Sequence, residues 1–138
     1  MVEDRRSRRA YGRDKELSGV RRVQAWFGRG QEDFFLTKSF PSEERYSLTD
    51  QIRRSSRAVN AMIAEAWARR RYVAAFINKI NEALGEATET QAWLDHALAC
   101  NYITEEKHHA LDDAWQHIGA MLNRMIERAD DFCKQAGN

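Results

Sequence analysis

The chain has 138 residues, enough for one domain whose core needs no metal or disulfide. One proline, seven glycines and an abundance of Ala, Arg, Glu and Leu favour an all-helical protein, and no apolar run is long enough to span a membrane. The net charge of +1 hides an asymmetry, because residues 1–30 carry nine Lys/Arg against four Asp/Glu, a net of +5, and the remainder carries −4.

Residues 1–15 show no apolar periodicity and are expected to form a flexible basic arm ahead of a helical body over 16–138. No apolar h-region follows the N-terminal charges, so no secretory signal is expected. The two cysteines fit a reducing compartment, and the expected location is the cytoplasm. Val20, Val23, Phe27, Phe34 and Leu36, with Trp26 and Phe35 beside them, outline a first helix that Gly28 and Gly30 weaken and Pro41 terminates. The second helix is clearer. Leu48, Ile52, Ser55, Val59, Met62 and Ala66 recur at steps of three and four, and Ile63 and Trp67 widen the stripe.

A third helix is expected from about Tyr72 to Ala99, with Val73, Phe76, Ile80, Ala83, Ala87, Thr90, Leu94 and Ala97 on one face and Asn101 as a left-handed stop. Thr104 is placed to cap a fourth, with Glu105 and Glu106 in its positive first turn. Its stripe is Leu111, Ala114, Ile118, Met121, Met125, Ala129 and Phe132, extended by Trp115, Leu122 and Ile126. Short links between long helices make neighbours antiparallel, so the expected fold is an all-α up-down-up-down four-helix bundle. In that topology Cys100 and Cys133 lie at opposite poles, too far apart for a bridge.

The chemistry-bearing residues are sparse. His96, His108, His109 and His117 match no zinc spacing with either cysteine. A di-iron bundle needs two separate Glu-x-x-His words and two further inward glutamates. Here Glu105–His108 and Glu106–His109 overlap in the first turns of helix four. No Gly-rich phosphate loop, nucleophile elbow or Cys–His pairing occurs. Neither a metal nor another cofactor is expected, and the chain reads as a non-enzyme. Glu65 and Glu89 lie beside the stripes of helices two and three, and Glu65 is expected to play a hydrogen-bonded structural role.

The basic residues offer more. Arg5, Arg6, Arg8, Arg9 and Arg13 charge the arm, Arg53, Arg54 and Arg57 cluster on helix two, and Arg69, Arg70 and Arg71 follow at its end. Three readings compete: a solvated face paired with Asp50, Glu43 or Glu44, a surface that contacts phosphates, or a subunit interface, where arginine is enriched. Trp26, Trp67, Trp93 and Trp115, with Tyr72, Phe76 and Tyr102, likewise fit a wide core, a subunit seam or a base-stacking surface.

A string of short words runs through the chain: Phe40-Pro41, Ser47 to Arg57 (SLTDQIRRSSR), Ile63-Ala64-Glu65-Ala66-Trp67, Arg70-Arg71-Tyr72, Glu89-Thr90-Gln91, Trp93-Leu94 and Tyr102-Ile103, with weaker returns at Met125-Ile126 and Phe132-Cys133. In this order they resemble the four-helix-bundle family encoded in intervening sequences of bacterial 23S ribosomal RNA genes. The likeness covers about residues 19–133. Met62 departs where the family has Asn, Asn60 where it has a small residue or proline, and Gly28, Arg29, Gly30 and Asp33 where it has helix formers or apolar residues. The last four bear on the first helix. The resemblance implies a left-handed bundle that assembles into a homo-oligomer, often a pentameric ring. It also implies kinship in fold with the accessory protein of diversity-generating retroelements, a pentamer with a basic surface that works with a reverse transcriptase and RNA. The expected function is therefore an oligomeric interaction or scaffold protein contacting RNA or DNA. The alternative is a nucleic-acid-binding accessory subunit of a retroelement reverse transcriptase.

Overall fold

The chain reverses direction where its capping residues sit, and these breaks set the architecture. The computed structural model describes residues 31–133, whose regular structure is all helical: α1 (Gln31–Thr37), a 3-10 turn (Ser42–Glu44), α2 (Leu48–Ala68), α3 (Val73–Ala99), α4 (Glu105–Glu127) and α5 (Ala129–Cys133). The expected arm over 1–15 and the first-helix residues Val20, Val23, Trp26 and Phe27 lie outside the described residues.

Each long helix has an identifiable start or stop. Before α2 the Ser47 side chain does not cap; the Glu44 carboxylate instead accepts from the Leu48 N–H at 3.1 Å and the Ser47 hydroxyl at 2.7 Å. A carboxylate at the positive end of a helix serves as well as a side-chain cap. At the end of α3, Asn101 adopts φ 59°, the left-handed conformation expected of it. The Tyr102 N–H then reaches back to the Ala97 carbonyl and the Asn101 N–H to that of Leu98, both at 2.9 Å, closing a Schellman motif. Thr104 caps α4, its hydroxyl accepting from the Lys107 N–H at 3.2 Å.

α3 is the central element, packed against α2, α4 and α5. Its 27 residues make it roughly 40 Å long. α2 runs antiparallel to it, as the pairs Ser55–Thr90 and Glu65–Lys79 require. α4 does the same through Gln91–Asp112 and Asp95–His108. α1 packs on α2 and touches α4 through Asp33 and Trp115, so it stands at the corner that the first helix of an up-down bundle occupies. The core is a continuous layer that includes Ile52, Val59, Ile63, Phe76, Ile80, Leu94 and Leu122.

Several stripes are rotated from their expected phase. On α2 Ile63 is fully buried and Met62 lies at the flank. On α3 Val73 is 38% exposed, and the buried face begins at Phe76. On α4 the centre is Leu111, Trp115, Ile118, Leu122 and Met125, with Ala114 and Met121 only half-buried. Adjacent residues point about 100° apart on a helix, so a broad apolar stripe has two possible centres one residue apart. The fourth helix also breaks at Arg128, and Cys133 of α5 is buried where Phe132 was expected. Phe132 stacks on Phe76 at 5.9 Å between ring centres and meets Trp67 edge-on at 6.4 Å. Cys133 thus lies by the first turn of α3, a helix length from Cys100, and both cysteines are thiols.

α1 is the largest departure. Phe34 is half-buried and Phe35 is 60% exposed, while Asp33 and Thr37 are buried. The Trp115 indole N–H donates to Asp33 Oδ2 at 3.1 Å, giving the acidic group a partner in the core, while Oδ1 has no hydrogen-bond partner among the described residues. Burial pushes the Asp33 carboxyl up to about 6, against the pull of that hydrogen bond.

Candidate nucleic-acid interface

Arg53 and Arg54 are neighbours on α2 and point to different sides of it. The Arg54 guanidinium turns toward α3, where it pairs with Glu86 at 3.3 Å and with Glu89, and its Nε donates to Gln51. The hydrogen bond to Glu89 holds the Arg54 guanidinium more firmly charged. Burial pushes the Glu89 carboxyl up, but the bonds from Arg54 and the Trp93 indole outweigh it and leave it below the usual range. The expected partners Asp50, Glu43 and Glu44 pair with none of the described arginines.

Arg53 and Arg57 face α1. The Arg53 guanidinium lies 4.4 Å from the centre of the Phe34 ring and that of Arg57 5.3 Å away, with the Lys38 ammonium at 5.1 Å. The Arg53 Nε–H also donates to the Thr37 hydroxyl at 2.9 Å, which donates in turn to the Phe34 carbonyl at 2.7 Å. Cation–π contacts hold these groups in place, each contributing about 0.5–1 kcal/mol at an exposed site. Three cations therefore share one aromatic ring, and among the described residues none of them pairs with a carboxylate. Lys38 and Arg45, outside the expected set, join this end of the molecule, where both are exposed. Their signal was present in the sequence as two cations flanking Phe40-Pro41.

The remaining arginines lie elsewhere. Arg69, Arg70 and Arg71 follow the last turn of α2, roughly 24 Å along its axis from Arg53. Arg70 packs on the Trp67 ring at 4.3 Å and bonds its carbonyl, while Arg69 and Arg71 are exposed. Arg5, Arg6, Arg8, Arg9 and Arg13 lie outside the described residues. The expected basic surface thus divides into a cluster at the α1–α2 face, a second at the far end of α2, and Arg54 in the helix seam.

Glu65, expected to be structural, behaves as a helix-to-helix clip. Glu65 is exposed and pairs with Lys79 at 3.0 Å, and Lys79 also bonds Glu82 at 2.8 Å. Both contacts keep the Lys79 ammonium protonated to higher pH, Glu82 the more strongly. One cluster escaped sequence reading because it spans two helices: ligand atoms of Asp95, His108 and Asp112 lie within 4.8 Å of one another. Here His108 Nε2 bonds Asp95 at 2.7 Å and the Gln91 amide donates to Asp112 at 3.0 Å, so the cluster ties α3 to α4.

The fold defines the class, an all-α antiparallel bundle. A family description, 23S rRNA-intervening sequence protein, matches residues 31–124, and the chain belongs to that family. Among solved structures it is similar to a protein of unknown function from the S23 ribosomal protein family of Bacteroides thetaiotaomicron. That likeness has 28% identity and a TM-score of 0.57, covering 86% of this chain and 97% of the other. No curated protein matches. Among the described residues no helix is long and apolar enough to cross a membrane.

Proposed function

We propose that this chain is a non-enzymatic, self-associating interaction protein of the cytoplasm that contacts RNA through the basic α1–α2 face. The observation that carries the reading is the Phe34 cluster, where Arg53, Arg57 and Lys38 converge without a carboxylate partner among the described residues. Like charges gathered this way repel one another, and a polyanion relieves that repulsion while releasing its own counterions. The polar groups elsewhere support a scaffold rather than a catalyst, since the Arg54, Lys79 and His108 contacts each join two helices. Self-association is supported by Tyr72, 66% exposed, beside the partly exposed Val73 at the α2–α3 link. The test is fluorescence anisotropy of the full chain on two unrelated single-stranded RNAs over a range of salt. The expected result is binding to both that falls steeply with salt; no binding at low salt overturns the reading.

A further inference from the structure

Between α1, the 3-10 turn and the start of α2 the surface opens into a cleft of about 330 Å³. Its chemistry is one-sided. Lys38, Arg45 and Arg53 line it together with Thr37, Ser42 and Thr49, and among the described residues no acidic one does. Two of the carboxylates nearby are engaged, and Asp50 and Glu43 are not among the described residues that line the cleft. Glu44 is held below the usual carboxylate range by the Ser47 hydroxyl and the Leu48 N–H, and also accepts from the Tyr102 hydroxyl at 3.2 Å. Asp33 is buried against Trp115, and Asp50 and Glu43 make no ion pair with a described residue. Arg53 is fixed through its Nε–H to Thr37, and among the described residues the two terminal amino groups of its guanidinium have no hydrogen-bond partner.

We propose that this cleft is a phosphate-binding subsite that takes one phosphate group of a single-stranded nucleic acid. The proposal rests on the RNA-contact reading above and gives it a place and a chemistry. A tetrahedral anion with three or four acceptor oxygens suits a site lined by a fixed guanidinium, the Lys38 ammonium and the Ser42 and Thr49 hydroxyls. The volume lies near the lower end of the range for ligand sites, about 300–1,000 Å³, which admits a phosphate and its sugar but no large apolar ligand. Tyr46 selects the source. It follows Arg45 directly and is 88% exposed, an aromatic ring with nothing packed over it next to a phosphate-contacting cation. Unstacked bases of a single strand settle on such rings, whereas a duplex offers none.

Lys38→Gln/Arg45→Gln tests the subsite, since both side chains are exposed and neither holds an ion pair among the described residues. Arg69→Gln/Arg71→Gln, at the other end of α2, is the charge-matched control. The full-length chain is titrated with a fluorescein-labelled 12-nucleotide single-stranded RNA and, by calorimetry, with adenosine monophosphate and inorganic phosphate. The subsite variant is expected to bind RNA about tenfold more weakly, with its salt slope lower by about 0.7, the value for one single-strand phosphate contact. The control variant is expected to stay within about twofold, and Tyr46→Ala to weaken RNA but leave inorganic phosphate unchanged. If the intact chain and the subsite variant bind RNA alike, the subsite is overturned and the RNA reading stands. If RNA does not bind but adenosine monophosphate binds the intact chain and not the variant, the subsite stands with a free nucleotide as its source and the RNA reading falls. If nothing binds, both fall. Circular dichroism of the variants, expected to be unchanged, separates lost contacts from lost folding, and Arg45→Gln alone replaces the double variant if its spectrum changes.

Discussion

The two sides of α2 differ in how their charges are answered. Toward α3 its charges and hydroxyls meet partners: Arg54 meets Glu86 and Glu89, Glu65 meets Lys79, and the buried hydroxyls of Ser55 and Thr90 bond each other at 2.8 Å. Toward α1 the cations outnumber their partners, and an aromatic ring stands where a carboxylate would balance them. Satisfied polar groups fix register and add modest stability, whereas unsatisfied charge stores an affinity for an outside partner. The α2–α3 seam should therefore govern folding and the α1–α2 face should govern binding.

The strongest way to break that division is at the seam. Ile63 is fully buried on α2, and Ile63→Asp would leave an unpaired charge in the core. Such a change costs about 4 kcal/mol or more, against a total stability of about 5–15 kcal/mol for a domain of this size. The helical signal and melting transition should collapse; an unchanged melting temperature would place Ile63 outside the core.

The α1 side should respond to pH instead. The Asp33 carboxyl is raised to about 6 from 3.8 because burial penalises its charged form. The sign follows from proton linkage: a carboxyl with a raised folded-state value contributes stability that is fully present below about pH 4 and is lost as pH rises through 6. Asp33→Asn keeps an acceptor for the Trp115 indole without the charge. It should stabilise the protein by up to roughly 3 kcal/mol at pH 8, with the gain shrinking to nothing near pH 4. Thermal melts of both proteins across that range check it, and a gain independent of pH would contradict the assignment.

That α1 behaves this way was hidden in the sequence for a physical reason. The spacing of Leu48, Ile52, Val59 and Ala66 was enough to orient α2, and Asn101 and Thr104 marked the α3–α4 turn, because local periodicity and capping act within one segment. Asp33 read as an intruder on an apolar face because its partner, Trp115, lies 82 residues away. The same distance in sequence hid the arrangement of the basic face. The i, i+4 spacing puts Arg53 and Arg57 on one face and Arg54 on another, but only the positions of Glu86, Glu89 and Phe34 show what each face meets. The Asp95–His108–Asp112 cluster was missed on the same grounds.

The smallest expected effect sharpens the comparison most, because it sets two adjacent arginines against each other. Arg54→Gln removes an ion pair whose arginine is 46% exposed, where solvent screening limits the contribution. Such pairs contribute about 0–1 kcal/mol, so the loss of stability should be small, and RNA affinity should stay within about twofold. Arg53→Gln/Arg57→Gln should do the reverse. Its effect on melting should be about 1–2 kcal/mol from two cation–π contacts and the Thr37 hydrogen bond, with a salt-dependent loss of RNA binding. Both variants remove charge from the same helix, so a general electrostatic attraction would weaken RNA binding in proportion to the charge removed, whichever face lost it. Direct contact at the α1–α2 face predicts that the Arg54 variant binds like the unaltered chain and the double variant does not. Anisotropy at two salt concentrations, read beside the melting curves, decides between them.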